Sequence, residues 1–230
     1  MTSSAIVFDL WYTLICAEDH GFAGEVGPIA ARLNLDVTTF AAYWTASFDA
    51  MHRTPRRVED YIVSYLRPQE RTLHDVERAA LDAVWASHDK ALVLPAPAVL
   101  DALRGLAEQG RRLDVLSNAH EREMRYWASS PLSRLFVAAC FSCQDGWMKP
   151  EPAAYRNILS AMGVRASQAI FVGDGASGEL AGARAAGFAQ IVFMRGMLRR
   201  YGVDEALLAA YADEAGAVID DLCELVLVIN

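Results

Sequence analysis

From Pro97 onward the chain alternates helical and short apolar segments, and no other feature limits its folding choices so tightly. Apolar spacing predicts helices over 97–109, 121–128, 151–162 and 178–186, and strands over 112–116, 137–141, 169–172 and 189–193. Strands joined through crossover helices pair in parallel, since a long connection is needed to bring the chain back in the same direction. An earlier apolar run, Ile6-Val7-Phe8, supplies one more strand, parted from the rest by a long stretch of helical periodicity. There Phe40, Tyr43, Trp44, Phe48 and Met51 recur at helical spacing, as do Val76, Ala80, Leu81, Val84 and Trp85. The simplest organisation is α/β: a Rossmann-like parallel sheet core, residues 1–15 and 95–230, with an all-helical cap domain, residues 16–94, inserted after the first strand. The pattern breaks at Leu94-Pro95-Ala96-Pro97, where the chain re-enters the core.

With 230 residues, 53% of them hydrophobic, the chain can fill a sizeable core. Its 21 basic and 29 acidic residues leave a net charge of -8, which disfavours nucleic acid or an anionic membrane as the partner of the whole surface. No apolar run approaches the roughly 18 residues of a membrane span, and Met1–Ser4 lead into the first strand without a basic start and an apolar signal region. The expectation is a cytoplasmic protein, monomer or homodimer, acting on a small molecule. Cys16, Cys140, Cys143 and Cys223 are too few and too scattered for a disulfide framework. Cys140 and Cys143 form a C-x-x-C, but no second C-x-x-C or paired His follows at zinc-site spacing, and the flanking Phe136, Val137 and Phe141 mark them as strand thiols.

The strand ends carry the chemistry. In open α/β sheets ligands sit beyond the carboxyl ends of the strands, where the first strand delivers Asp9, a candidate nucleophile, followed by Thr13 in a turn. The strand 112–116 ends in Ser117-Asn118, whose hydroxyl and amide either donate to phosphate oxygens or cap the next helix. Lys149 precedes a helix, where a fixed ammonium neutralises a nucleophile and a transferring phosphoryl group, although a loop lysine is often only solvated. The strand 169–172 runs into Gly173-Asp174-Gly175, with Glu179 following at a helix start; such hard carboxylate oxygens suit Mg²⁺.

In order and placement these motifs resemble the haloacid dehalogenase-like (HAD) superfamily of hydrolases: Asp9 to Thr13 matches its first motif, Ser117 its second, Lys149 its third, and Gly173-Asp174 with Glu179 its fourth. Gly182-Ala-Arg-Ala-Ala-Gly187 is similar to the family's helix after motif four, and the helical insertion to its helical cap. The resemblance implies that Asp9 attacks the substrate, Lys149 orients it and balances charge, and Ser117, Asn118 and Lys149 bind the transferred group. Asp9, Asp174, Glu179 and the backbone carbonyl of Trp11 would hold Mg²⁺, and Thr13 would support Asp9 by hydrogen bonding. A carboxylate nucleophile splits phosphate ester hydrolysis into two steps through an aspartyl phosphate.

One residue departs from the pattern. Phosphatases of this family carry a second Asp two residues after the nucleophile, to protonate the leaving alcohol and then activate water; here that position is Trp11, beside the substrate. An indole N–H cannot exchange a proton near neutral pH, so acid–base help worth roughly 10²–10⁴ in rate lacks a donor there. Glu18, Asp19, His20 or His120 could take over, or the leaving group needs no acid. The dehalogenase branch also carries an aromatic residue at this position and displaces halide without metal, so a halogenated substrate attacked by Asp9 is the alternative to a phosphorylated one. A non-catalytic phosphate-ligand or protein-binding module is a further alternative. Asp174 and Glu179 keep the phosphatase-like metal pattern and favour phosphate. His52-Arg53-Thr54-Pro55-Arg56-Arg57 reads as a solvated helix end or, alternatively, as a contact for a second anionic group; Trp44, Phe48, Tyr61, Tyr65 and Trp85 read as cap core, and Arg199-Arg200-Tyr201 as surface.

Overall fold

The computed structural model of the chain describes residues 5–229, so the expectation drawn from Met1–Ser4 lies outside the described residues. Six strands, β1 (Ala5–Phe8), β2 (Arg112–Ser117), β3 (Ala138–Phe141), β4 (Ala169–Gly173), β5 (Gln190–Met194) and β6 (Ala217–Ile219), form one sheet in the order β3-β2-β1-β4-β5-β6. Every neighbouring pair is parallel. All four residues of β1 are fully buried, as a strand covered on both faces requires, and its apolar run is therefore continuous rather than alternating. Alternate residues feed two cores: Ile6 and Phe8 join Val115, Val172, Leu103 and Leu106 on one face, while Val7 joins Phe171, Phe193, Tyr155 and Ile158 on the other. Helix Pro97–Glu108 covers the first face, and helices Pro152–Met162 and Glu179–Ala185 cover the second.

The chain lays β2 and β3 to one side of β1, then crosses back to place β4, β5 and β6 on the other. The reversal opens a crevice at the carboxyl ends of β1 and β4, and ligands of open α/β sheets bind at such a point. Between β1 and Pro97 lie helices Val26–Leu33, Val37–Arg53, Val58–Leu66, Asp75–Asp82 and Ala86–Val93. They pack around an apolar cluster of their own that includes Ile29, Phe40, Trp44, Tyr61, Ile62 and Trp85, with Tyr65 against it. Asp36 starts the longest of them by accepting from the Thr39 N–H at 2.9 Å.

Two expectations need correction, and one strand goes beyond them. Residues 121–128 do not form an α-helix; consecutive turns end in the short 3₁₀ segment Trp127–Ser129. Side chains pull the segment out of helical geometry: Arg122 is buried on Asp89 through bonds of 2.6 and 2.9 Å, Glu121 accepts from the Val58 N–H, and the His120 N–H donates to Glu123. Phe48 is not core; it is 47% exposed and stacks on His52. The edge strand β6 was not foreseen, because three residues give no periodicity to read.

Candidate active site

The Asp9 N–H continues the ladder past β1, donating to the Val172 carbonyl at 2.8 Å, and this sets Asp9 beside the end of β4. The chain then folds tightly back on itself. The N–H groups of Leu14 and Ile15 both donate to the Leu10 carbonyl, Tyr12 donates to Ile15, and Tyr12 takes a left-handed backbone with φ of 56°. This small loop holds Thr13 against the carboxylate, with Thr13 Oγ1 donating to Asp9 Oδ2 at 3.1 Å.

Lys149 Nζ bridges two buried acids, donating to Asp9 Oδ1 at 2.5 Å and to Glu179 Oε2 at 2.5 Å. Glu179 Oε1 accepts from the Gly175 N–H at 3.0 Å, and Asp174 Oδ1 accepts from the Ala176 N–H at 2.9 Å. Glu179 can lie so close under β4 only because residue 173 is glycine: a Cβ there would fall 2.0 Å from Glu179 Oε1. Asp9, Lys149, Asp174 and Glu179 are each at most 5% exposed. With Trp11, Tyr12, Asn118, Ala176 and Ser177 they line a recess of about 100 Å³.

The charges in this recess do not balance. Carboxylate oxygens of Asp9, Asp174 and Glu179 all lie within 4.8 Å of one another, against a single ammonium. Burial, with the Asp9 charge adding to it, pushes Asp174 up to about 6. Burial also raises Glu179 well above the usual range, against the pull of Lys149. Burial alone would favour a neutral Lys149, but the charges of Asp9 and Glu179 outweigh it, and its pKa is raised. A divalent cation fits such a donor set of hard oxygens with surplus negative charge. Asp174 has the freer carboxylate: both Glu179 oxygens are engaged by Lys149 and Gly175 and both Asp9 oxygens by Lys149 and Thr13, whereas Asp174 accepts through Oδ1 from Ala176.

Not every candidate reaches the recess. The Ser117 hydroxyl is buried with no hydrogen-bond partner among the described residues and does not line the recess. Asn118 does line it, yet its amide is used on the Lys149 backbone, accepting from the N–H at 2.8 Å and donating to the carbonyl at 2.9 Å. Nothing in the sequence signals this brace between residues 31 apart. Trp11 forms part of the wall; its indole Nε1 is buried without a hydrogen-bond partner among the described residues, and its ring meets His88 edge-on with centroids 4.9 Å apart.

The proposed substitutes for the absent acid separate cleanly. Glu18 lines an adjoining cavity and accepts from Tyr12 Oη and Cys16 Sγ. Asp19 pairs with Arg200 and Tyr201, and His20 lines a different cavity together with Asp19 and Arg200. His120 is buried against Glu25, with Nε2 3.0 Å from Oε1. Burial opposes charging this imidazole, but Glu123 and Glu25 outweigh burial and raise it to about 9; the partner Glu25, despite burial, is lowered to about 2.

Two further readings are corrected or narrowed. The basic cluster 53–57 does not approach the recess: Arg53 binds Glu151 at 2.6 Å and Asp49, Arg56 binds the Asp60 carbonyl and Ser64, and Arg57 pairs with Glu59. Arg53 instead ties the helical block to the loop that carries Lys149. Cys140 and Cys143 are free and buried, and burial pushes each thiol up to about 12, so neither offers a thiolate near neutral pH.

A family model described as haloacid dehalogenase-like hydrolase matches residues 4–187. A phosphoglycolate phosphatase of Pseudomonas fluorescens (strain Pf0-1) is 34% identical over 112 residues, covering 46% of this chain and 39% of that protein. An enolase-phosphatase E1 of Streptomyces avermitilis is 38% identical over 93 residues, covering 39% of this chain and 38% of that protein. The chain thus spans about two fifths of the length of these curated relatives. Among solved structures, a HAD phosphatase from Thermococcus onnurineus superposes with a TM-score of 0.66 at 17% identity over 99% of both chains. A 2-haloacid dehalogenase from Pseudomonas syringae pv. Tomato DC3000 gives 0.64 at 20% identity, over 97% of this chain and 96% of that one. Identities this low speak for the fold alone, and the fold is common to phosphate and halide chemistry.

Proposed function

The chain belongs to the haloacid dehalogenase-like hydrolases, and within that family we propose that it is a Mg²⁺-dependent phosphatase acting on a small phosphorylated metabolite through an aspartyl phosphate on Asp9. One observation carries this reading: the Asp9 carboxylate is fixed by Lys149 and Thr13 at the sheet's switch point, where it, Asp174 and Glu179 crowd together with the single Lys149 ammonium to offset them. That excess supports a cation held by Asp9 and Asp174, with the Trp11 carbonyl as a further ligand and Glu179 as the group that fixes Lys149. Mg²⁺ bound there would supply charge for the phosphoryl oxygens. Residues 16–94 serve as a cap over the recess, and the reducing cytoplasm is the compartment that keeps buried thiols such as Cys140 and Cys143 unpaired.

Asp9 attacks phosphorus with one carboxylate oxygen as the bond to the leaving oxygen breaks; the leaving group departs with the bond electrons as an alkoxide and takes its proton from water. Lys149 stays charged throughout and offsets the negative charge gathering on the transferred oxygens. Thr13 limits rotation of the carboxylate, which keeps the attacking oxygen aligned. Water then cleaves the aspartyl phosphate and releases phosphate.

Halide displacement is the second reading, and Trp11 favours it, because an indole suits a reaction that needs no leaving-group acid. The test is phosphate release from p-nitrophenyl phosphate with and without Mg²⁺, using Asp9→Asn as control. Multiple turnovers that vanish in the variant and without metal are expected. No turnover, with chloride released from 2-chloropropionate in the absence of metal, would transfer the assignment to dehalogenation.

A further inference from the structure

A second cavity, of about 400 Å³, adjoins the Asp9 recess and shares Trp11, Tyr12 and Asn118 with it. Its size suits a small organic molecule. Through these shared walls it is the neighbouring space for the organic part of an ester whose phosphorus would meet Asp9. The walls are unusual in charge: Glu18, Glu25 and Glu123 contribute carboxylates, and no Lys or Arg lines the cavity among the described residues. Its imidazole, His88, faces Glu123 with Nε2 3.8 Å from Oε1, so any charge on it is already answered.

The three carboxylates are not equivalent. Glu25 is committed to Trp85, Trp44 and His120, and Glu18 to Tyr12 and Cys16. Glu123 lines the cavity and accepts through Oε2 from the His120 N–H, while its Oε1 lies 3.8 Å from His88 Nε2, too far for a hydrogen bond. Trp11, Phe22 and Trp44 bring aromatic rings to the same walls. A carboxylate with a spare oxygen beside several aromatic rings is the chemistry that recognises organic ammonium groups. A second anion on the substrate would instead meet three acids and, among the described lining residues, no Lys or Arg.

We propose that this cavity is the leaving-group subsite for phosphate monoesters whose alcohol carries a cationic nitrogen and no second anionic group. The proposal rests on the phosphatase reading above and deepens it. It separates this chain from a preference for phosphorylated or halogenated carboxylic acids, whose carboxylate would require a cation that the cavity does not provide.

The experiment compares kcat/KM for choline phosphate with that for its neutral carbon isostere, 3,3-dimethylbutyl phosphate, and for 2-phosphoglycolate. The ammonium ester is expected to lead the isostere by about tenfold, with phosphoglycolate last. In Glu123→Gln the ratio of ammonium ester to isostere should collapse towards one; Phe22→Leu, a change on a half-buried ring, should lower the same ratio if the first variant does not fold. Equal turnover of ester and isostere, or a preference for phosphoglycolate, would overturn the subsite while leaving the phosphatase intact. If no phosphate ester turns over, p-nitrophenyl phosphate included, the phosphatase reading fails, and tryptophan fluorescence titrated with choline decides the subsite alone. Saturable quenching by choline but not by 3,3-dimethylbutanol upholds it, and no difference between the two overturns it.

Discussion

The side-chain amide of Asn118 closes two hydrogen bonds on the backbone of Lys149, one in each direction, at 2.8 and 2.9 Å. The end of β2 thereby sets the height of the loop from which Lys149 reaches Asp9. Lys149 is in turn shared with Glu179, so three separate elements fix the position of one ammonium. Such triple support is what a group needs if it is to act electrostatically without reorganising during the reaction.

Asn118→Ala removes the brace and leaves the ammonium chemistry intact. If Lys149 then drifts by even a fraction of an ångström, kcat should fall by about tenfold or more, with KM for p-nitrophenyl phosphate changing much less. A variant with wild-type kcat and a raised KM would mean that Asn118 binds substrate instead.

Gly173→Ala tests the close approach of Glu179 to β4. The added methyl would fall 2.0 Å from Glu179 Oε1 and 2.8 Å from the Phe171 ring, and both are buried. Overpacking of this kind is expected to destabilise the fold by about 1–3 kcal/mol, read as a drop in Tm, and to release Lys149 from Glu179. Unchanged stability would show that Glu179 has room to move and is not held as described.

The sequence made the strand ends legible because each is an apolar run stopped by a polar residue, and Asp9, Lys149, Asp174 and Glu179 do converge. What it hid are relationships that depend on three-dimensional approach. Asn118 carries the same side chain whether it donates to phosphate or braces a loop, and only the fold places Lys149 beside it. Residues 121–128 have a helical apolar pattern, yet Arg122 and Glu121 spend their side chains on Asp89 and Val58 of the helical block, and tertiary contacts override the local preference. The pairing of His120 with Glu25 spans 95 residues and has no sequence signature.

That pairing should be visible in the pH dependence of stability. The folded pKa of His120, about 9, lies above its unfolded value, so its contribution is full below about pH 6.5 and is lost as pH rises through about 9. His120→Gln is expected to be less stable by about 3 kcal/mol at low pH, with the gap to wild type narrowing in alkali. A gap that stays constant from neutral to alkaline pH would mean that His120 is uncharged in the folded protein.

Asp174 gives the corresponding test for the metal. Without a cation its pKa is pushed up to about 6, above its unfolded value, so ionising it costs stability that is progressively lost as pH rises towards and through about 6. A cation bound to the ionised form removes that cost. The rise in Tm on adding Mg²⁺ should therefore be large near pH 7.5 and shrink as pH falls below about 6, and Asp174→Asn should abolish most of it. A Mg²⁺ shift of equal size at both pH values, or one that survives in Asp174→Asn, would place the cation elsewhere.

Trp11→Asp asks whether the absent acid limits the rate. A carboxyl group at this position stands two residues beyond Asp9 in the wall of the recess, where it could protonate a departing alcohol. Alkyl phosphates, whose alkoxides leave poorly, should gain up to about 10²-fold, whereas p-nitrophenyl phosphate, with a leaving group that needs little protonation, should gain little. The indole is only partly exposed and packs on His88, so its loss is also expected to lower Tm. A folded Trp11→Asp enzyme with no gain on either substrate would mean that the acid is supplied elsewhere or is not needed, and Glu18 in the adjoining cavity would be the first residue to substitute in order to separate the two.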